Sequence, residues 1–203
     1  MNAKKIFILV VISFLLLGLT ACGNSGETSK KETSNKKNEL PTIPKKVFSS
    51  DENNKKISKK EIRSSISEYL DTYHALFKNI EHLSSKDKLN KSELKKLNDL
   101  TEMNNKNDNN FSNYVKNNDL PKGYKDGSLK TKDYVTSSNQ YLKKLNNQVQ
   151  KINKNSDSDN LSTKDIAKID RINKQYKKEV NGKKQKEVEK FLRDKNIKTK
   201  AFK

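Results

Sequence analysis

The chain has 203 residues, with 44 Lys and Arg against 25 Asp and Glu, for a formal charge of +19. Only 31% of its residues are hydrophobic and its mean hydropathy is −1.06, which excludes a large apolar core and leaves a folded domain only if the few apolar residues are strictly patterned. The single cysteine excludes an intramolecular disulfide, so stability must come from packing alone.

Lys4 and Lys5 precede an apolar run from Ile6 to Gly18 that ends in Leu19-Thr20-Ala21-Cys22. A charged start, an apolar middle and small residues before a cut describe a secretory leader. Leu-Thr-Ala-Cys reads as a lipobox, at which bacteria attach a diacylglycerol to the cysteine and cleave before it. The run is short for a membrane span of about 20 residues, and Gly23, Asn24 and Ser25 end it. The expectation is a signal peptide over residues 1–21 and a lipidated Cys22 at the outer face of the cell membrane. Removal of Lys4 and Lys5 leaves a mature charge of +17. Each buried methylene contributes about 0.8 kcal/mol, and two acyl chains anchor stably.

From residue 22 to 56 there is no apolar period, and Pro41 and Pro44 disfavour helix at Leu40 and Ile43. This stretch reads as a disordered polar tether with a relaxed reach of roughly 30 Å. Residues 57–203 read as an all-α domain, an antiparallel bundle of about four helices. Ser58-Lys59-Lys60-Glu61 is a capping-box pattern. Behind it Ile62, Ile66, Tyr69, Tyr73, Leu76, Ile80 and Leu83 alternate four and three apart, a heptad seam widened by Leu70 and Phe77. This helix is predicted to end near Ser84.

Ser92 is the predicted cap of a second helix carrying Leu94, Leu97, Leu100 and Met103. Asn104 and Asn107 then occupy seam positions before Phe111, Tyr114 and Val115 resume it. Either Asp108 caps a new segment or polar residues lie in the bundle interface, and a single continuous helix, weak at this point, is favoured. Leu120-Pro121-Lys122-Gly123 ends it. A third helix is predicted from near Thr131, with Tyr134, Val135, Tyr141, Leu142, Leu145, Val149 and Ile152 as its stripe and Ser138 in line. After a polar loop over 154–160, Ser162 to Asp165 opens a fourth with Ile166, Ile169, Ile172, Tyr176 and Val180, which Gly182 stops or kinks. Val188, Phe191 and Leu192 resume the helical face, and Ile197 and Phe202 are expected to fold back as a C-terminal clasp.

No catalytic constellation is visible. His74 and His82 are two turns apart and lack further ligands for a metal site. Residues 157–160 lack the glycine and glutamate of a calcium loop, and no glycine loop for phosphate or nucleophile motif occurs. No cofactor is expected. The tyrosines fall on helix stripes, so core packing explains them better than base stacking, and no nucleic-acid partner is expected. The lysines are distributed along the tether and the helix backs, which points to weak contact with anionic lipid or wall polymers.

Asn107-Asp108-Asn109-Asn110-Phe111, together with Leu120-Pro121-Lys122-Gly123-Tyr124, Val180-Asn181-Gly182 and the tail from Phe191 to Phe202, resembles a family of small staphylococcal lipoproteins. That family is named for an Asn-Asp-x-x-Phe motif followed by a basic residue and a phenylalanine. Asn107, Asp108 and Phe111 match; Ser112 and Asn113 stand where the basic and aromatic residues should follow, and Tyr114 comes one place late. A looser likeness is to cell-wall-binding lipoproteins. The resemblance implies a lipid-anchored helical surface protein with no established activity. The expected function is therefore a non-enzymatic envelope module with an unidentified protein partner. The rival is an accessory subunit of a membrane transport or enzyme complex, which would need a concave pocket.

Overall fold

Residues 39–86, 89–155 and 162–202 are described by the computed structural model of this protein. Five helices form among them: α1 (Lys59–Ser84), α2 (Lys91–Asn117), α3 (Lys125–Asn155), α4 (Thr163–Tyr176) and α5 (Gly182–Asp194). The all-α expectation holds; among the described residues the nearest thing to a sheet is one isolated parallel bridge between Lys56 and Asp119.

The first helix forms as its sequence demands. Ser58 Oγ accepts from the Glu61 amide at 3.2 Å and the Glu61 carboxylate accepts from the Ser58 amide at 2.7 Å, closing the capping box. Every residue of the predicted seam is buried, and Ile62, Ile66, Tyr69, Leu70 and Leu76 are fully so. At about 1.5 Å per residue the helix is ~39 Å long.

The second helix is continuous through its asparagines. Its cap is Asn90 rather than Ser92: Asn90 Oδ1 accepts from the Glu93 amide at 2.9 Å and Glu93 returns the bond. Asparagine is as good a cap as serine, and only at position 90 does a glutamate stand three residues on. Leu97, Leu100, Asn104, Asn107, Phe111, Tyr114 and Asn118 alternate three and four apart, and all are buried. Asparagine thus replaces the apolar residue at three places in one seam.

α3 starts at Lys125, six residues before the predicted position. Gly127 and Ser128 are poor helix formers, but this turn is held by packing. A Cβ on Gly127 would lie 2.2 Å from two ring carbons of Phe191, so only glycine lets the α5 aromatic lie against α3 there. Ser128 and Thr131 are fully buried beside it.

The predicted fourth helix is two helices in line. α4 ends at Tyr176, and Asn181, accepting from the Lys184 amide at 3.0 Å, caps α5. Gly182 is therefore the first residue of a new helix. Tyr141 lies against Tyr176, Tyr134 hydroxyl reaches Gln185 at 3.2 Å, and Lys195 Nζ sits 4.9 Å over the Tyr124 ring. Those contacts descend α3 as they ascend α4 and α5, so the pair runs antiparallel to α3 and completes a four-membered bundle with a broken last member. Ile166, expected in the α4 stripe, is 47% exposed because only α3 covers this helix.

The main core joins Ile62, Ile66, Tyr69 and Leu70 of α1 to Phe111 and Val115 of α2, Val135 of α3, and Val188 and Leu192 of α5. A second cluster fills the end where α1 meets α2, and a small third one lies between α3 and α4. The C-terminal clasp forms: Ile197 and Ala201 are buried, Ser67 Oγ donates to the Lys198 carbonyl, and Asp71 accepts from Thr199 Oγ1 and the Lys200 amide at 2.7 and 2.6 Å.

The tether assignment needs its largest correction here. Residues 41–57 lie in the groove between α1 and α2, running against α1 and with α2. Phe48 is 2% exposed and Ile57 is buried, while Ile43 and Val47 pack on the second cluster. The domain therefore begins before residue 57. Leu19, Thr20, Ala21 and Cys22, and the acidic stretch 157–160, lie outside the described residues.

Candidate functional site

Asn107, Asp108 and Phe111, singled out in the sequence, come together with residues from three other parts of the chain. The helical spacing puts all three on the inner face of α2. Each does a different job.

Asn107 is fully buried and reads backbone in two directions. Its Oδ1 accepts from the Phe48 amide at 3.0 Å and its Nδ2 donates to the Tyr69 carbonyl at 3.1 Å. One turn on, Asn110 Nδ2 donates to the Phe48 carbonyl at 2.8 Å. The two amides thus satisfy both main-chain groups of Phe48, as a neighbouring strand would. Asn118 repeats the device, accepting from the Lys55 amide at 2.9 Å and donating to the Glu52 carbonyl at 2.9 Å. Asn79 on α1 holds the other end through the Pro41 carbonyl at 2.8 Å. Four asparagines strap the segment down. Backbone bonds finish it: Asn54 to Asn117, Asp119 to Lys55 and Ile57 to Asp119, at 2.8–2.9 Å.

Phe111 supplies the apolar half of the same device. Its ring stacks on Tyr69 at 4.1 Å between centroids and meets Phe48 edge-on at 5.4 Å; Tyr114 closes on Phe48 at 5.5 Å. Phe48 plugs a pocket walled by aromatic rings.

Asp108 faces the other way, into the α1–α2–α3 junction. Oδ1 accepts from the Tyr69 hydroxyl at 2.8 Å, and Oδ2 accepts from Thr136 Oγ1 at 2.8 Å and Asn139 Nδ2 at 3.4 Å. Asn104 extends the chain by donating to Asn139 Oδ1 at 3.1 Å. Burial holds the Asp108 carboxyl above the ordinary carboxylate range, and its three hydrogen bonds offset only part of that. Burial, and then the charge of Asp108, raise the Tyr69 hydroxyl well above its usual value. Burial pushes Tyr134 up to about 12. These are neutral tyrosines at any physiological pH, and they donate hydrogen bonds rather than protons.

The raised carboxyl has a consequence for stability. A native state that holds this proton more tightly than the unfolded chain loses stability as pH rises from the unfolded carboxylate value through the native one. Asp108→Asn is therefore expected to flatten the pH dependence of the melting temperature in the acidic range above the ordinary aspartate value of about 3.9. Asp108→Ala is expected to lower stability by about 1–3 kcal/mol, because it orphans the buried Tyr69 hydroxyl and the half-buried Thr136 hydroxyl. An unchanged pH profile in Asp108→Asn would contradict the assignment.

The remaining candidates stay apart. His74 is half-buried and His82 exposed on α1, and no group of three or more potential metal-ligating side chains occurs among the described residues. Tyr69, Tyr73, Tyr134 and Tyr176 are buried in the cores, as their stripe positions implied. An open depression of about 590 Å³ is lined by Asn54, Lys116, Asn117, Asn118, Asp119, Leu120 and Lys125. It is the outer side of the Asn118 strap, and the main chain of Asn54, Asn117 and Asp119 in its wall is already hydrogen bonded.

Sequence reasoning found the motif but missed its partners Phe48, Asn79, Asn110 and Asn118. The available signal was the buried seam itself, in which asparagine recurs at 104, 107 and 118 where leucine would be cheaper. A comparison of this chain with protein-family models, with curated proteins and with solved structures finds no match in any of the three.

Proposed function

We propose that this chain is a lipid-anchored protein of the bacterial cell envelope, held at the outer face of the membrane by acyl chains on Cys22, with a helical bundle that serves as a non-enzymatic interaction module. The observation that carries this is Leu19-Thr20-Ala21-Cys22 at the end of a short apolar run, with the chain's single cysteine at the cleavage point. The likeness to the Asn-Asp-x-x-Phe lipoproteins belongs to the same proposal.

The bundle supports it in two ways. The motif's polar groups are consumed by internal hydrogen bonds, so Asp108 acts as a packing carboxyl and not as an acid or base open to a substrate. The strap ties the segment that follows the anchor to the body of the bundle, so a pull on Cys22 is borne by the groove between α1 and α2.

Cys22→Ala is expected to abolish incorporation of labelled palmitate and either to release the protein into the medium or to leave an uncleaved precursor. Labelling and membrane fractionation that persist in this variant would sink the reading.

A further inference from the structure

The positive charge is less evenly distributed than the sequence suggested. Residues 162–203 carry fifteen Lys and Arg against six Asp and Glu, a net of +9, while residues 58–155 carry nineteen against twelve, a net of +7 over more than twice the length. Of that +9, α4 carries +2 and residues 177–203 carry +7.

On α4 the fold gathers the positive charge on one side. Ile169 and Tyr176 are buried against α3, and at about 100° per residue the opposite face is formed by Lys164, Arg171 and Lys174, with Lys168 at one edge of it, all exposed. Of the two acidic residues on this helix, Asp165 is turned to its own cap, accepting from Ser162 Oγ at 2.6 Å and lying 3.5 Å from Lys168. Asp170, also exposed, stands at the other edge of this face, one turn before Lys174. The outer face of α4 is therefore a short row of cations.

Its place in the bundle gives it a partner. α4 begins beside the C-terminal end of α3, at the end of the bundle that also carries the α1–α2 connection. The strapped segment enters at that end, where Asn79 holds Pro41, so the chain leading back to Cys22 leaves from there too. The two large apolar side chains that stand exposed among the described residues, Leu40 at 43% and Ile166 at 47%, are both at this end.

We propose that the outer face of α4, Lys164, Lys168, Arg171 and Lys174, is a docking surface for the anionic headgroups of the membrane from which the chain is hung. This rests on the lipid-anchored reading for its setting, but its chemistry is independent of it: clustered cations beside exposed apolar side chains fit an anionic lipid surface better than they fit a soluble polymer.

The test uses the mature chain, residues 22–203, made without lipid as Cys22→Ser, and sedimented with vesicles at low ionic strength. Binding is expected to vesicles containing phosphatidylglycerol and not to pure phosphatidylcholine. Replacing the four α4 cations with glutamine is expected to weaken binding by about tenfold or more, since each basic residue near a charged surface contributes measurably. All four are exposed, so helicity by circular dichroism should not change. A charge-matched control replaces Lys59, Lys60, Lys122 and Lys125, at the far end, and is expected to lose less than about twofold because screening confines the effect to about 8–10 Å. Equal losses in the two variants would show that only net charge matters and overturn the proposal. Binding to purified anionic wall polymer without binding to vesicles would overturn it as well. Because the protein carries no acyl chain, failure here is separate from failure of the palmitate experiment.

Discussion

Replacing Ile66 by aspartate is expected to unfold the bundle at room temperature. Ile66 has no exposed surface and sits at the centre of the main core, between Tyr69 and Leu70 of its own helix and Phe111 and Val115 of the next. The substitution removes the burial of an isoleucine, worth about 1.5–3 kcal/mol, and brings in a carboxylate with no partner, which costs several kcal/mol more or forces its protonation. Together these approach the whole stability of a typical domain, about 5–15 kcal/mol. The control is Ile166→Asp on α4. It is the same chemical change at a residue that is 47% exposed, and it is expected to alter stability by about 0.5 kcal/mol or less. Circular dichroism of the two variants checks this. A folded Ile66→Asp protein with an unchanged melting curve would show that α1 does not pack through this face.

The second large effect concerns the strap. Phe48→Ala is expected to cost about 3–5 kcal/mol, the usual range for emptying a buried phenylalanine site. Asn107→Ala is expected to cost somewhat less, about 1–3 kcal/mol, because it leaves the Phe48 amide buried without a partner. Asn107→Leu makes the more instructive comparison. Leucine restores the apolar heptad of α2, so a helix packed only against helices should gain stability. With the strap in place it should lose it, since leucine can satisfy neither backbone group. The two substitutions act on one contact, so the double variant Phe48→Ala, Asn107→Ala should cost less than the sum of the singles.

These expectations explain which parts of the protein were legible in the sequence. α1 was, because its cap, its heptad seam and its end all agree and each is local. The clasp at Ile197 and Phe202 was, because two apolar residues after a helix have few places to go. The strap was not, for a physical reason. Its segment has no hydrophobic period, since it is held by side-chain amides bonding main chain, and main-chain groups look alike at every residue. Its apolar residues, Ile43, Val47, Phe48 and Ile57, are scattered among polar ones and follow neither a helical nor a strand period. The asparagines on α2 were visible as an anomaly in a seam, but an anomaly does not name the chain that it binds.

The other departures have similar causes. The start of α3 at Lys125 is fixed by Phe191 lying on Gly127, a contact 64 residues away that overrides weak local propensity. The break between α4 and α5 follows from Asn181, whose side chain caps the second helix and also donates to the carbonyls of Lys177 and Lys178 at the end of the first. The motif residues Asn107, Asp108 and Phe111 are all buried on α2, yet their spacing alone carries no hint that Asn107 faces the strap and Asp108 faces α3.

Hydrogen exchange at the Phe48 and Lys55 amides tests the central claim, that Asn107 and Asn118 bind residues 41–57 into the fold. Both amides are hydrogen bonded only to asparagine side chains, Asn107 and Asn118. In the wild-type protein they are expected to exchange slowly, with protection close to that of the α1 amides around Ile66. In Asn107→Ala the Phe48 amide should lose its protection while the α1 amides largely keep theirs. Exchange of residues 41–57 at the rate of an unstructured chain, in a protein whose helices remain protected, would contradict the account.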